Sequence, residues 1–309
     1  MTLALLTNPR LAAAAAPRIA QRLPRLRIVT ALEQEDLAGI QFLAAYAVPA
    51  GTFAKLPALR LICSSGAGAE TLLDAADLPS GVPLTRVLDP ATNAGIVEYV
   101  IHMVLRQHRN FAGYEAQQRE RRWQRIEAAA AADTCIGVLG LGNLGLDLAQ
   151  KLVMLGFRVA GWSRTQRHVE GIACYSGEAG LVACLEQSRF LVCLLPLTAA
   201  TAGILNARRL GTLPRGAYVI NVGRGAHLVP SDLLALIDSG HLEGAALDTH
   251  VAEPLPTDDP LWSHPRVIVT PHVAAQTSPH ALADQLCTNI ERLERGLPLL
   301  NLVDRARGY

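Results

Sequence analysis

Lysine is almost missing from this chain: among its 28 basic residues only Lys55 and Lys151 are lysine, and the rest are arginine. Neither lysine follows a Gly-rich GxxxxGK pattern, which removes a phosphate-binding P-loop. Neither stands four residues after a tyrosine, which removes the Tyr/Lys pair of short-chain dehydrogenases. The cysteines Cys63, Cys135, Cys174, Cys184, Cys193 and Cys287 include no CxxC pair, and most lie in apolar runs such as FLVCLL. They read as buried thiols in a reducing compartment. Charge of one sign is lacking too: 27 acidic residues nearly balance the basic ones, for a net charge of +1. The electrostatic footprint of a nucleic-acid or anionic-membrane partner is therefore absent. Arg119, Arg121, Arg122 and Arg125 are interrupted by Glu120 and flanked by Glu127, and read as a solvated face. No apolar span of 18 residues occurs, and Pro17 and Arg18 cut short the Ala12–Ala16 run. Neither export nor membrane insertion is indicated, and a cytoplasmic location is expected. His250 and Glu253 have no HExxH or Cys/His cluster around them, so no metal is expected.

What is present is an ordinary globular profile of 309 residues, 50% apolar and 18% charged, enough for two domains with a core each and a cleft. Apolar runs at Leu3–Leu6, Leu26–Thr30, Phe42–Ala47 and Leu59–Cys63 alternate with helical patterns, as in a parallel α/β unit. A long apolar helix follows over Ala94–Arg109, then an arginine-rich stretch and the Ala128–Ala132 run, placing a boundary near residue 100. From Thr134 the alternation restarts. Strands are expected at Cys135–Leu139, Arg158–Gly161, Phe190–Leu195, Ala217–Asn221, Gly244–Leu247 and Val267–Thr270, with a helix over Ser231–Ser239 capped by Ser231 and stopped at Gly240. Six strands with intervening helices describe a doubly wound sheet. The amphipathic segment Ala281–Arg295 falls outside that unit.

Gly140, Gly142 and Gly145 form GLGNLG, with Asn143 and Leu144 inside it, between the apolar strand CIGVL and a helix pattern. In that context the first glycine permits a tight turn, the second lets main-chain N–H groups approach a pyrophosphate, and the third lets the helix pack on the strand. The acidic residue that holds the ribose of NAD is missing, since no carboxylate lies between Asp147 and Glu170. Ser163, Arg164 and Arg167 stand there instead, a set suited to a 2′-phosphate, so NADPH is expected in preference to NADH. Three later segments, NVGRGAHLV with Arg224, LDTHVAEPLP with Asp248 and Glu253, and VIVTPHVAA with His272, each follow an apolar strand. Taken singly these are turn residues; ends of parallel strands also converge on one crevice.

Those motifs, with LICSSGAGAETLL, GWSRT, LLPLTAATAGILN and the terminal VDRARGY, resemble the D-isomer-specific 2-hydroxyacid dehydrogenase family over nearly the whole chain. The resemblance implies an α/β chain of two doubly wound parallel-sheet domains. A Rossmann cofactor domain, residues 100–278, would be inserted into a flavodoxin-like substrate domain of residues 1–99 and 279–309. It implies hydride reduction of small 2-oxo acids, glyoxylate and hydroxypyruvate foremost. Arg224 would polarise the carbonyl and hold the carboxylate, and His272 would be the general acid, oriented by Glu253. Gly66, Ala67 and Gly68 match the family's carboxylate-binding loop, although Glu70 stands where an aspartate is common. Leu195, Pro196, Thr198, Val222 and Asp248 match positions around the cofactor. Tyr46 matches an aromatic beside the substrate, with a core position as the other reading. Trp123 matches an arm that related homodimers extend toward the neighbouring subunit's cleft, as pocket wall or as interface aromatic. Two alternatives remain on this scaffold: a reductase of bulkier 2-oxo acids and a non-catalytic NADP(H)-binding sensor.

Overall fold

The structure is a computed structural model that describes residues 1–32 and 37–305, so the end of the VDRARGY segment, from Ala306, lies outside the described residues. The chain divides into two compact units, Met1–Asn93 together with the chain from Gln276 on, and Ala94–Ala275.

The first unit runs β1 (Thr2–Leu6), α1 (Pro9–Arg22), β2 (Arg27–Val29), β3 (Ile40–Ala45), β4 (Leu61–Ser64), α2 (Glu70–Leu73) and β5 (Leu84–Arg86). Its strands form one parallel sheet in the order β2-β1-β3-β4-β5, the flavodoxin-like arrangement. Apart from Thr2, Gln41 and Ser64, the inner strands are apolar because both faces are covered. Asn8 caps α1 by accepting from the Arg10 N–H, and Pro9 supplies a first helical residue that has no N–H to satisfy. The short strand β5 escaped the sequence reading because three residues carry no readable period.

The second unit begins within α3 (Pro90–His108) and continues through α4 (Phe111–Arg119), β6 (Cys135–Leu139), α5 (Asn143–Met154), β7 (Arg158–Trp162) and β8 (Ile172–Tyr175). It is completed by α6 (Gly177–Glu186), β9 (Phe190–Cys193), α7 (Ala207–Leu210), β10 (Ala217–Asn221), α8 (Pro230–Asp238), β11 (Leu242–Leu247) and β12 (Val267–Val269). The seven strands are all parallel, in the order β12-β11-β10-β9-β6-β7-β8. Counted from β6 this is the doubly wound Rossmann order with one further strand at the β12 edge. The division falls a few residues before the boundary expected near residue 100, because Ile96, Val97 and Val100 of α3 pack with Ile136, Val138 and Ile220. Strand β8 was not foreseen. Helix α8 also starts earlier than expected: Val229 is its N-cap and Pro230 its first residue, so Ser231 is already helical.

The last helix, α9 (Pro279–Glu294), belongs to the first unit. Ser278 caps it, and Leu282, Ala283, Leu286 and Cys287 enter a core with Leu3, Leu5, Ala12 and Ile19. Arg18 forks onto Asp284 at 2.7 and 2.8 Å, and Arg22 onto Glu291 at 2.9 and 2.7 Å, fixing the facing of α1 and α9. These pairs are exposed and add specificity more than stability. The apolar contacts should dominate: Leu286→Ala is expected to lower the stability of this unit by about 2–5 kcal/mol in chemical denaturation.

Candidate active site

Three constraints lie behind the three loop glycines. Gly140 has φ +105°, a value that L side chains rarely adopt. A Cβ on Gly145 would meet the Gly140 carbonyl oxygen at 1.8 Å, so α5 can sit this close to the turn only with glycine there. A Cβ on Gly142 would meet nothing within 4 Å; its exposed main chain at the start of α5 opens onto space that a pyrophosphate fits. Asn143 begins the helix and is exposed, while Leu144 is half-buried. Past the end of β7, Ser163 is half-buried and donates to the Thr165 carbonyl at 2.8 Å, and Arg164 and Arg167 are exposed. Among the described residues neither guanidinium has a carboxylate within ion-pair distance, and this set fits a nucleotide bearing an extra phosphate. Leu195 and Val222 are buried beside this end of the sheet. The Pro196–Thr198 turn is held by Thr201, which donates to the Pro196 carbonyl and accepts from the Thr198 N–H.

Arg224, Glu253 and His272 follow β10, β11 and β12, which are neighbours in the sheet with Asn221, Leu247 and Val269 in register. The loops that carry them therefore leave side by side. Arg224 is half-buried, and its main chain is braced twice: its N–H donates to His227 Nδ1 at 3.0 Å, and its carbonyl accepts from Asn221 Nδ2 at 3.0 Å. Its Nη1 donates to the Gly223 carbonyl at 2.8 Å. Gly225 lets two loops touch, for a Cβ there would meet the His250 carbonyl carbon at 2.0 Å and the Val251 nitrogen at 2.4 Å.

His272 Nδ1 and Glu253 Oε2 are 2.8 Å apart, and Glu253 Oε1 accepts from the His250 N–H at 3.0 Å. Burial alone would push the Glu253 carboxyl up, but the His272 hydrogen bond, the His250 N–H and the nearby imidazoles outweigh it and hold it below its usual range. With Nδ1 facing the carboxylate, proton exchange with a ligand falls to His272 Nε2. His272 itself is left-handed, φ +53°, an arrangement held by its N–H donating to the carbonyls of Asp248 and Thr270 at 2.9 and 3.1 Å.

Asp248, expected beside the cofactor, is 1% exposed, and its carboxylate accepts from the N–H groups of Val273 and Ala274 and from the Thr270 hydroxyl at 2.6 Å. It is a strut for the loop that carries His272. Since the Thr270 proton goes to Asp248, Tyr99 of α3 is the donor in its 2.8 Å bond to Thr270 Oγ. Burial pushes the Tyr99 phenol up to about 12, with the Asp248 charge adding to it. Sequence reasoning missed Tyr99, Thr270, Asn221 and His227, whose only signal was a polar residue beside an apolar strand or inside an apolar helix.

In the first unit Gly66 and Gly68 are half-buried and Ala67 is exposed. Among the described residues the N–H groups of Ala67 and Gly68 have no protein acceptor, which leaves two donors for an anion. The Ser64 hydroxyl donates to the Gly68 carbonyl, and the Tyr46 ring lies 3.8 Å from where a Gly66 Cβ would stand. Tyr46 is thus beside the loop and not in the core. Ala69 is the N-cap of α2 and Glu70 its first residue, so Glu70 does not cap that helix. Trp123 is fully exposed on a segment tied back by Gln117 accepting from the Gln124 N–H and by Tyr114 accepting from the Ile126 N–H. A cavity of about 480 Å³ is lined by Trp123 with Tyr114, Gln117 and Arg125. No three His, Cys, Asp or Glu side chains among the described residues are grouped to hold a metal, and no described helix is long and apolar enough to cross a membrane.

Residues 101–274 match the NAD binding domain of the D-isomer specific 2-hydroxyacid dehydrogenases. The chain belongs to that family. Within it, the chain is 41% identical over 294 residues to glyoxylate/hydroxypyruvate reductase A of Photorhabdus laumondii, covering 94% of each chain. It is 42% identical over 256 residues to the Yersinia enterocolitica protein of the same name, covering 81% of this chain and 82% of that one. A solved NADPH-dependent glyoxylate/hydroxypyruvate reductase from Sinorhizobium meliloti, in complex with NADP and sulfate, superposes with a TM-score of 0.90 at 37% identity, covering 100% of this chain and 99% of that one. A family member from Xanthobacter autotrophicus Py2, in complex with NADPH and MES, gives 0.88 at 39% identity, covering 99% of each.

Two outcomes follow from this geometry. Because the folded-state value of Glu253 is depressed, its pairing contributes stability above the ordinary glutamate value of about 4.3, and that contribution is lost as pH falls through the lower folded value. The stability advantage of wild type over Glu253→Gln should shrink as pH falls through that acid window, as read by thermal melts across pH. Gly225→Ala should force the Arg224 and Glu253 loops apart and lower turnover by about 100-fold, with thermal stability reduced by far less in proportion.

Proposed function

We propose that the protein reduces small 2-oxo acids with NADPH, glyoxylate to glycolate and hydroxypyruvate to D-glycerate foremost. The observation that carries this is the 2.8 Å Glu253–His272 pair, set beside the Arg224 loop at the carboxyl ends of neighbouring strands in a dinucleotide-binding sheet. Relatives named for that activity, at about 40% identity over most of the chain, support the same substrate class.

When bound, the nicotinamide cofactor supplies a hydride for the substrate's C2. The chain's own part is positioning and proton transfer. Arg224 presents a planar fork to the 2-oxo acid's carboxylate and draws electron density onto the carbonyl oxygen. His272 Nε2 donates the proton that oxygen needs, and Glu253 holds the imidazole in orientation. The Gly66–Gly68 loop adds the Ala67 and Gly68 N–H groups as donors for the carboxylate, and Tyr46 limits substrate size. Gly140 to Gly145 cradle the pyrophosphate; Ser163, Arg164 and Arg167 hold the 2′-phosphate; Leu195, Pro196, Thr198 and Val222 line the nicotinamide half.

Trp123 supports a homodimer: a fully exposed indole on a segment with its own hydrogen bonds is stabilised once a second copy covers it. The six unpaired cysteines, five of them buried, suit a reducing cytoplasm.

Absorbance at 340 nm decides the reading, with glyoxylate, hydroxypyruvate, pyruvate and 2-oxoisovalerate each offered with NADPH and with NADH. Fastest oxidation of NADPH with the first two is the expected result. Preference for 2-oxoisovalerate would keep the mechanism and move the substrate, and NADPH binding without turnover of any acid would leave a sensor. His272→Asn and Arg224→Ala should each lower turnover by about 10²- to 10⁴-fold, and Arg164→Ala should erode the preference for NADPH.

A further inference from the structure

His250 has no part in the chemistry described so far, yet all three strand-end loops meet at it. It precedes Glu253 on the loop after β11 and is 9% exposed. Its main-chain N–H serves Glu253 Oε1, the oxygen that His272 does not use. From the other side, Gly225 of the Arg224 loop lies against its carbonyl with no room for a Cβ. Its ring reaches the third loop, where Nε2 stands 3.2 Å from the carbonyl oxygen of Thr270, two residues before His272.

A carbonyl only accepts, so Nε2 carries a ring proton and donates it to Thr270. Nδ1 is buried and has no hydrogen-bond partner. An unpartnered buried nitrogen is a cost that a phenyl ring of similar size would not carry. The imidazole's advantage therefore lies in its other nitrogen, which donates to the segment leading to His272. That bond and the His250 N–H bond to Glu253 act in series. One end grips the carboxylate, the other grips the chain that presents the imidazole, and the separation of Glu253 and His272 is set between them.

We propose that His250 is a positioning residue of the proton-transfer pair, its ring anchoring the Glu253 loop to the Thr270 carbonyl. The inference rests on the reading of this site as a 2-oxo acid reductase. It concerns the alignment of His272 and leaves substrate affinity to Arg224 and the Gly66–Gly68 loop, so its signature is a loss in kcat at nearly constant KM.

The test uses the full chain with saturating NADPH and varied glyoxylate, and compares wild type, His272→Asn, His250→Phe, His250→Gln and His250→Asn. The Gln amide nitrogen reaches the place of Nε2; the shorter Asn amide reaches only that of Nδ1. His250→Phe and His250→Asn should lose about 10- to 100-fold in kcat with little change in KM, as expected for a misplaced catalytic group, and His250→Gln should recover most of the rate. NADPH titration by fluorescence shows which variants are folded, and the Gln/Asn contrast decides the matter if the Phe variant is not. Wild-type kcat in His250→Phe, equal losses in the Gln and Asn variants, or a loss carried by KM would each overturn the proposal. An active wild type with an unimpaired His250→Phe leaves the reductase reading standing and removes only the role of His250. A wild type that reduces no 2-oxo acid removes both.

Discussion

The arrangement of the site depends on one buried carboxylate. Asp248 sits at the end of β11 almost without solvent contact, where an ionised group is tolerable only if hydrogen bonds replace its water. It finds them in the Thr270 hydroxyl and the N–H groups of Val273 and Ala274, all on the segment that follows β12. Those bonds turn the chain sharply around His272, and the Asp248 carbonyl then accepts the His272 N–H and holds the left-handed conformation. Tyr99 completes the arrangement from α3 by donating to Thr270. A charge that would be costly alone thus becomes the means by which a strained histidine is presented in one orientation.

That dependence explains how much of the molecule could be read from its sequence. The glycine loop, the strands β6 and β10, and the trio Arg224, Glu253 and His272 lie in contiguous motifs whose physical reason is local: a tight turn, a buried strand, a strand-end loop. The three residues come to neighbouring strand ends, as parallel strands of a doubly wound sheet expose their carboxyl ends on one side. The struts were illegible for the converse reason. Tyr99 and Thr270 are 171 positions apart and Asp248 and Ala274 are 26 apart, so nothing in either neighbourhood announces the pairing. Asp248 stands at a strand end in the sequence, and only the fold shows that its carboxylate also holds the Thr270 hydroxyl and the Val273 and Ala274 N–H groups. Strands β5 and β8 and the early start of α8 were missed on a smaller scale. Three- and four-residue strands have no period, and a proline at the first helical turn makes the serine after it look like a cap.

Scarcity of lysine has a counterpart in the placement of charge. Arg18 forks onto Asp284 and Arg22 onto Glu291, and Arg209 meets Glu178 through one Nη2, so these charges are largely cancelled locally. Arg164 and Arg167 have no such carboxylate among the described residues, and the chain between Asp147 and Glu170 supplies none. Their charge is left to act outward at the carboxyl end of β7. The open main chain of Gly142 at the start of α5 adds partial positive charge at the end of β6, the next strand in the sheet. Two guanidinium groups and a helix N-terminus on adjacent strand ends make a field that favours a ligand with separated phosphates over one with a single pyrophosphate. A planar, always-charged fork suits that task better than a lysine's point charge. The function proposed above puts the same fork to use at Arg224, facing a substrate carboxylate.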